Sequence, residues 1–180
     1  MFRHTHMKTN NVDLFENVYN VESDAIFRFC LIRVSGREQA LDITQETFLR
    51  YWQSLVKGEK VRNDKAFLFT IAHRLIIDWY RKKKSFSLEQ MMHKDDEKDE
   101  VDILDVTSLD SIDVKAEGRF LLEKINQLPV SLQHPVYLRF VEGLSPPEIG
   151  DILNISSNSA SVRINRGISE LRKITGYDKN

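Results

Sequence analysis

Residues 145–172 constrain the fold most, because they have the pattern of two short helices joined by a tight turn. Ser145 and Glu148 are spaced as a capping box, and prolines occupy the first helical positions, where backbone N–H groups have no partner. Asn154 tolerates the positive φ that a turn at 154–156 needs. Apolar residues at helical spacing form one side of each helix: Ile149, Ile152 and Leu153, then Ala160, Ile164, Ile168 and Leu171. The stretch therefore predicts a helix-turn-helix unit.

The second of these helices has a polar surface on its other side. Arginine pairs with guanine and asparagine with adenine in the major groove, and serine accepts several bases. This composition predicts binding to duplex DNA; the alternative is an ordinary helical hairpin with a solvated face. The candidate groove-facing residues are Asn158, Ser159, Ser161, Arg163, Asn165 and Arg166.

The formal net charge of −1 conceals an uneven distribution of charge. Residues 1–90 carry 15 basic and 11 acidic side chains, residues 91–118 carry 3 and 10, and residues 119–180 carry 8 and 6. The acidic stretch has no aromatic residue, which predicts a flexible linker between two small helical domains. Whether this linker is a solvated tether or rests against basic surfaces of a partner stays open.

Metal, disulfide and membrane sites find no support in the sequence. The lone Cys30 excludes a disulfide framework and a cysteine-based zinc site, and the five histidines lack metal-ligand spacing. No apolar run approaches the ~18 residues that a membrane span needs. We expect a cytoplasmic protein with no membrane insertion, no metal and no cofactor.

The first 90 residues are predicted to be helical throughout. One helix is expected after Asp13, another from Ser23 or Asp24, and a third over 38–57. The third helix is expected to bury Leu41, Thr44, Phe48, Trp52 and Leu55, and to expose Asp42, Gln45, Glu46 and Leu49.

A fourth helix, capped by Asn63 or Asp64, is expected to bury Phe67, Leu68, Ile71, Ala72, Leu75 and Ile76. It ends in Trp79 and Tyr80 followed by four consecutive cations, Arg81 to Lys84. Such a cluster can stack unpaired bases and neutralise phosphates, or it can simply stabilise the end of the helix.

Three segments together resemble a known family. Residues 42–52 (DITQETFLRYW) and 66–82 (AFLFTIAHRLIIDWYRK) resemble region 2 of bacterial sigma-70-type factors. Residues 128–129 and 136–145, with the helix-turn-helix, resemble region 4. The short chain with only these two regions is similar to the extracytoplasmic-function (ECF, group 4) sigma factors.

The resemblance implies roles for the exposed residues. It implies that Asp42, Gln45, Glu46 and Leu49 bind a coiled coil of the largest subunit of core RNA polymerase. It implies that the helix-turn-helix reads the −35 element of duplex promoter DNA. It further implies that the 57–65 loop and the end of the fourth helix bind the melted non-template strand at the −10 element; the residues concerned are Arg74, Asp78, Trp79, Arg81, Lys82 and Lys83.

We therefore expect an all-α chain with a region 2-like domain at 10–86, an acidic linker at 87–117 and a region 4-like domain at 118–175. The expected function is that of a sigma factor without catalytic residues of its own, with core polymerase, promoter DNA and an anti-sigma factor as candidate partners. One alternative is a helix-turn-helix regulator that acts without polymerase. An enzyme such as a nuclease lacks support, because the chain has no ordered carboxylate pair and no phosphate-binding glycine loop.

Overall fold

The computed structural model describes the backbone of residues 3–34, 36–90 and 116–176, and the side chains of 11–34, 36–83 and 118–176. Within these ranges the chain forms seven α-helices and no strand, as the sequence predicts. Most of the acidic linker predicted at 87–117 lies outside the described residues. The helices are α1 (Arg3–Leu31), α2 (Arg37–Lys57), α3 (Asp64–Gln90), α4 (Ala116–Asn126), α5 (Val130–Phe140), α6 (Pro146–Leu153) and α7 (Ser157–Thr175).

Helices α1 to α3 pack against one another as the N-terminal domain. The prediction of separate helices near Asp13 and Ser23 was wrong, because α1 is continuous. Ser23 and Asp24 only weakly disfavour a helix interior, and α1 contains no glycine or proline that would break it.

An aromatic cluster holds α1 and α2 together. Phe15 lies edge-on to Phe48 and to Trp52, with ring centroids 6.2 and 5.4 Å apart, and Tyr19 lies 4.7 Å from Phe48. Phe48 is buried as predicted, whereas Trp52 is only half-buried. Edge-on aromatic pairs add about 0.5–1.5 kcal/mol to the free energy gained by burying the rings.

The buried side of α2 differs from the predicted one at Leu41. This side chain is 39% exposed, while Ala40 and Thr47 are fully buried and Ile43 is nearly so. Small and β-branched residues therefore make up this part of the buried side of α2, and the buried stripe is rotated away from Leu41. Leu41 instead joins the exposed side, four residues before Gln45 and eight before Leu49.

Helices α4 to α7 form the C-terminal domain around a second part of the core. Val136, Ile149 and Ala160 are fully buried there, and Ile164 is 5% exposed. Ile168 and Leu171, predicted to be buried, are only partly so but pack against this core.

Candidate nucleic-acid interface

The helix-turn-helix forms as the sequence predicts. Glu148 accepts hydrogen bonds from the backbone N–H of Ser145 (2.7 Å) and from its hydroxyl (2.6 Å), so the start of α6 is capped by its own side chains. These bonds, with a further one from Asn63, lower the pKa of Glu148. Asn154 ends α6 with φ 55°, and Ser156 caps α7 by accepting from Ser159 N–H at 3.1 Å.

Gly150 allows the turn to fold tightly back on α6. A Cβ atom at this position would lie 2.8 Å from the carbonyl oxygen of Ile155. A larger residue would push the turn away and change the angle between the two helices. Sequence reasoning did not single out Gly150, although a glycine inside a predicted helix is a recognisable sign of close backbone approach.

The six candidate groove-facing residues of α7 differ in solvent exposure and in their hydrogen bonds. Asn158, Asn165 and Arg166 are exposed, whereas Ser159, Ser161 and Arg163 are half-buried. The Ser161 hydroxyl donates to the Ser157 carbonyl at 3.0 Å, so it is engaged within its own helix. The three exposed side chains are therefore the better candidates for direct contact with base edges.

The exposed surface of α2 contains the four residues assigned to polymerase binding. Asp42, Gln45 and Leu49 are exposed, and Glu46 is half-buried and paired with Arg50 at 2.7 Å. Leu49 is 50% exposed, and Leu41 adds a second large apolar side chain to this surface. We refer to Leu41, Asp42, Gln45, Glu46 and Leu49 as the α2 face. Two exposed leucines on either side of polar residues give this face the mixed apolar and polar composition of a protein–protein interface.

The cationic and aromatic residues lie together in the second half of α3, which continues to Gln90 instead of ending at Lys84 as the sequence predicted. Arg74, Asp78, Arg81, Lys82 and Lys83 are exposed and Trp79 is half-buried.

The Lys83 ammonium lies 5.0 Å from the centre of the Trp79 ring, and Arg81 lies 3.9 Å from the Asp78 carboxylate. The Tyr80 hydroxyl donates to the Arg33 carbonyl at 2.6 Å. This tyrosine therefore fixes α3 to the segment that follows α1, and its hydroxyl is not a candidate for binding a base.

The loop between α2 and α3 is held at both ends. Gly58 ends α2 with φ 74°, and Asn63 caps α3 by accepting from Ala66 N–H at 3.1 Å. The Tyr51 hydroxyl donates to Asp64 at 2.8 Å, and burial together with this carboxylate raises the pKa of Tyr51. Fixed ends give the 57–65 loop a defined position beside α3.

Two grooves bring the predicted site residues together. A groove of about 420 Å³ is lined by Asp42 and Glu46 of α2 and by Asp78, Trp79 and Arg81 of α3, so the candidate polymerase and −10 surfaces adjoin. Arg74 lies apart from it, in a second groove with the 57–65 loop and with residues of α6 and the helix-turn-helix turn.

The described parts of the chain contain neither a candidate metal site nor a candidate membrane span. No group of three or more His, Cys, Asp or Glu side chains there is arranged to hold a metal ion. None of the helices described above is both long and apolar enough to cross a bilayer.

The helix-turn-helix with its exposed polar helix defines a DNA-binding protein. Comparison with known families matches residues 18–86 to Sigma-70 region 2 and residues 121–171 to Sigma-70, region 4. The ECF RNA polymerase sigma factors SigW and SigX of Bacillus subtilis are similar along most of their length. SigW is 28% identical over 171 residues, covering 93% of this chain and 91% of SigW; SigX is 26% identical over 163 residues, covering 89% and 83%.

Two solved structures share the fold. The sigma factor RpoE in complex with the anti-sigma factor NepR, from Bartonella quintana, has a TM-score of 0.61 at 18% identity and covers 92% of this chain and 98% of that one. CnrH in complex with the cytosolic domain of CnrY has a TM-score of 0.59 at 19% identity and covers 97% and 96%. The chain belongs to the sigma-70 family of RNA polymerase sigma factors, in its ECF group.

Proposed function

We propose that this sigma factor uses three surfaces, one to bind RNA polymerase and two to recognise promoter DNA. The α2 face binds core RNA polymerase, the 57–65 loop and residues 74–83 of α3 hold the melted −10 strand, and the exposed stripe of α7 reads the −35 duplex. The domain bounds 10–86, 87–117 and 118–175 belong to the same proposal.

The observation that carries this proposal is the shared groove between α2 and α3. Asp42 and Glu46 lie on one wall and Trp79 and Arg81 on the other. A protein that only bound duplex DNA would need the helix-turn-helix, but not the exposed leucines of the α2 face beside the cationic and aromatic residues of α3. The alternative of a regulator without polymerase is accordingly not favoured.

In this proposal the chain binds and positions the melted promoter strand and does not catalyse a reaction. Trp79 offers a half-buried aromatic ring beside cations, which suits an unstacked base and its phosphates. Holding such a base must offset an unstacking cost of a few kcal/mol. In this proposal the chain is not an enzyme, and core polymerase carries out RNA synthesis in the cytoplasm.

An anti-sigma factor is a further partner in this proposal. The structure of RpoE with a similar fold is a complex with the anti-sigma factor NepR, and that of CnrH is a complex with the cytosolic domain of CnrY. Exposed apolar side chains on two helices, Leu49 on α2 and Phe140 on α5, offer area for such a protein. Co-purification of the chain from its own host with a protein that blocks its transcription would test this point.

Runoff transcription with purified core polymerase and a library of promoters tests the main proposal. The expected result is transcripts that depend on this chain and start at a subset of promoters with related −10 and −35 elements. Binding to promoter duplexes without any polymerase-dependent transcript would favour the regulator instead.

A further inference from the structure

Val162 interrupts the polar surface of α7 with an apolar side chain. It is 40% exposed, whereas every other apolar side chain of this helix, which the structure describes over its whole length, is buried or half-buried. Ala160 and Ile164, two positions before and after it, belong to the core of the domain. Core packing therefore does not account for a valine at position 162.

Val162 lies at the centre of the exposed side of α7. Successive residues of a helix are rotated by about 100°, which places this side chain nearly opposite the buried residues of the same helix. Asn158 lies one turn before it and Arg166 one turn after it, and Asn165 is a neighbour on the same side; all three are exposed. The first turns of a recognition helix are the ones that reach base edges. A duplex bound along this side would therefore meet Val162 between the polar side chains.

The exposed side of α7 is accessible although the two domains touch each other. Arg33 of the N-terminal domain and His134 of α5 are hydrogen-bonded at 3.0 Å, and Lys65 is paired with Glu142 at 3.2 Å. The exposure of Val162 is that of the chain with these contacts made. The contact between the domains therefore does not cover this side chain.

The major groove offers one apolar group to such a side chain, the 5-methyl group of thymine. Adenine, guanine and cytosine present hydrogen-bond donors and acceptors there. Valine displaces water from these polar groups without replacing the hydrogen bonds, which costs free energy. Beside a thymine methyl group it buries apolar surface instead, which is favourable. A valine at this place in the groove therefore favours thymine.

Helix stability does not account for the valine either. A β-branched residue loses side-chain freedom in a helix and has a lower helix propensity than alanine. Val162→Ala is therefore expected to leave the melting temperature unchanged or to raise it. The alternative is a surface residue without a role in binding, since single exposed apolar side chains are common in proteins. A base-specific experiment separates these two interpretations.

We propose that Val162 contacts the 5-methyl group of one thymine in the −35 element and so selects thymine at that base position. This inference rests on the proposed role of α7 in reading the −35 duplex. Asn158 and Arg166 each lie about 6 Å from Val162 along the helix axis, and stacked bases are about 3.4 Å apart. The thymine therefore lies within about two base pairs of the bases nearest to Asn158 and Arg166.

Deoxyuridine in place of thymidine tests the contact, because it removes the methyl group and keeps the base pair. A promoter found by runoff transcription is prepared with deoxyuridine at one −35 thymine at a time, on either strand. Competition binding to holoenzyme assembled from core polymerase and the full chain measures the affinity of each duplex. For the native chain, one replacement should weaken binding about fourfold, as the loss of one buried methyl group does. The same replacement should not change the affinity of the Val162→Ala holoenzyme.

Two further variants calibrate this comparison. Val130→Ala is the matched control, since Val130 is 39% exposed on α5 of the same domain, and it should keep the fourfold effect. Val162→Thr retains one of the two methyl groups of valine and should keep part of the effect. Thermal unfolding followed by circular dichroism checks that each variant is folded.

Several results would overturn the inference. These are a native chain that binds every deoxyuridine duplex as well as the thymidine duplex, and a Val162→Ala variant that retains the full fourfold effect. A −35 element without an A·T pair in the stated range would also overturn it. An equal loss of affinity for all duplexes in Val162→Ala would do the same, because it indicates a contact with sugar or protein.

Failure of the proposed function would look different. If exchanging the whole −35 element left the affinity of the native holoenzyme unchanged, α7 would not read this element, and the proposed function and this inference would both be wrong. Dependence on the −35 sequence without dependence on a thymine methyl group would remove only the role of Val162.

Discussion

Gly167 of α7 lies directly against the side chain of Val136 on α5. A Cβ atom at position 167 would be 2.2 Å from Val136 Cγ2, which is closer than two non-bonded carbon atoms can approach. Val136 is fully buried, so it has no solvent-exposed space to move into. The absence of a side chain at 167 therefore sets how closely the DNA-reading helix packs on the rest of its domain.

Gly167→Ala is expected to destabilise the C-terminal domain despite its higher helix propensity. Overpacking of a filled core costs about 1–3 kcal/mol, which exceeds the roughly 1 kcal/mol that alanine gains over glycine in a helix. Urea denaturation followed by circular dichroism measures the change. Adding Val136→Ala should recover part of the loss, and a double variant with strictly additive losses would contradict the clash.

The α2 face should bind core polymerase. Changing Gln45 and Glu46 together to alanine is expected to weaken the complex by about 1–3 kcal/mol, as loss of central interface contacts does. Helix content should hardly change, because Gln45 is exposed and the Glu46–Arg50 pair lies at the surface. Titration against labelled core enzyme measures the affinity.

Changing Glu16 and Asn17 together to alanine is the matched control, since this adjacent carboxylate and amide are exposed on α1, outside the α2 face. Leu49→Ala extends the test to an exposed apolar side chain of the α2 face. Core affinity that is unchanged in the Gln45/Glu46 variant would remove the proposed role of the α2 face.

The two arginines near the middle of α7 should behave differently on DNA. Arg166 is exposed among the groove-facing residues, whereas Arg163 is half-buried at their edge. Arg166→Ala is expected to relax the preference at one base position by about 1–3 kcal/mol. Arg163→Ala should weaken binding to all sequences alike and reduce the salt dependence, as loss of a phosphate contact does. Competition binding with single-base variants of the −35 element separates the two, and a base-specific loss at Arg163 would reverse the proposed orientation of α7.

Local patterns predicted the helix-turn-helix well, because its determinants are close in sequence. The spacing of Ser145 and Glu148 predicted the capped start of α6, and Asn154 predicted the left-handed turn. The start of α3 was predicted by the same kind of signal, a cap at Asn63 or Asp64, and Asn63 is the residue that caps it.

Local patterns could not predict contacts between residues that are far apart in the sequence. Leu41 was misplaced because helical spacing alone fixes the buried side only to within one residue, and neighbouring small residues decided it. The Arg33–His134 and Lys65–Glu142 contacts join residues 101 and 77 positions apart, so no local pattern reports them. The roles of individual site residues in binding stay predictions.

Glu148 should make the C-terminal domain less stable as the pH falls. Its pKa is lowered from the ordinary value of 4.5 by hydrogen bonds from the Ser145 hydroxyl and backbone, and further by Asn63. The folded state therefore favours the charged carboxylate more than the unfolded state does. The resulting stabilisation is fully present above pH 4.5 and is lost as the pH falls from there through the lower folded-state pKa.

Urea denaturation between pH 7 and pH 3 measures this effect. Other carboxylates also titrate in that window, so Glu148→Gln is the comparison that isolates one residue. This variant keeps an acceptor oxygen for Ser145 but cannot ionise, and it should be less stable than the native chain at pH 7. The difference between the two should shrink as the pH falls below 4.5, because the native Glu148 then becomes neutral as well. A difference that stays constant across this range would show that the charge of Glu148 does not stabilise the start of α6.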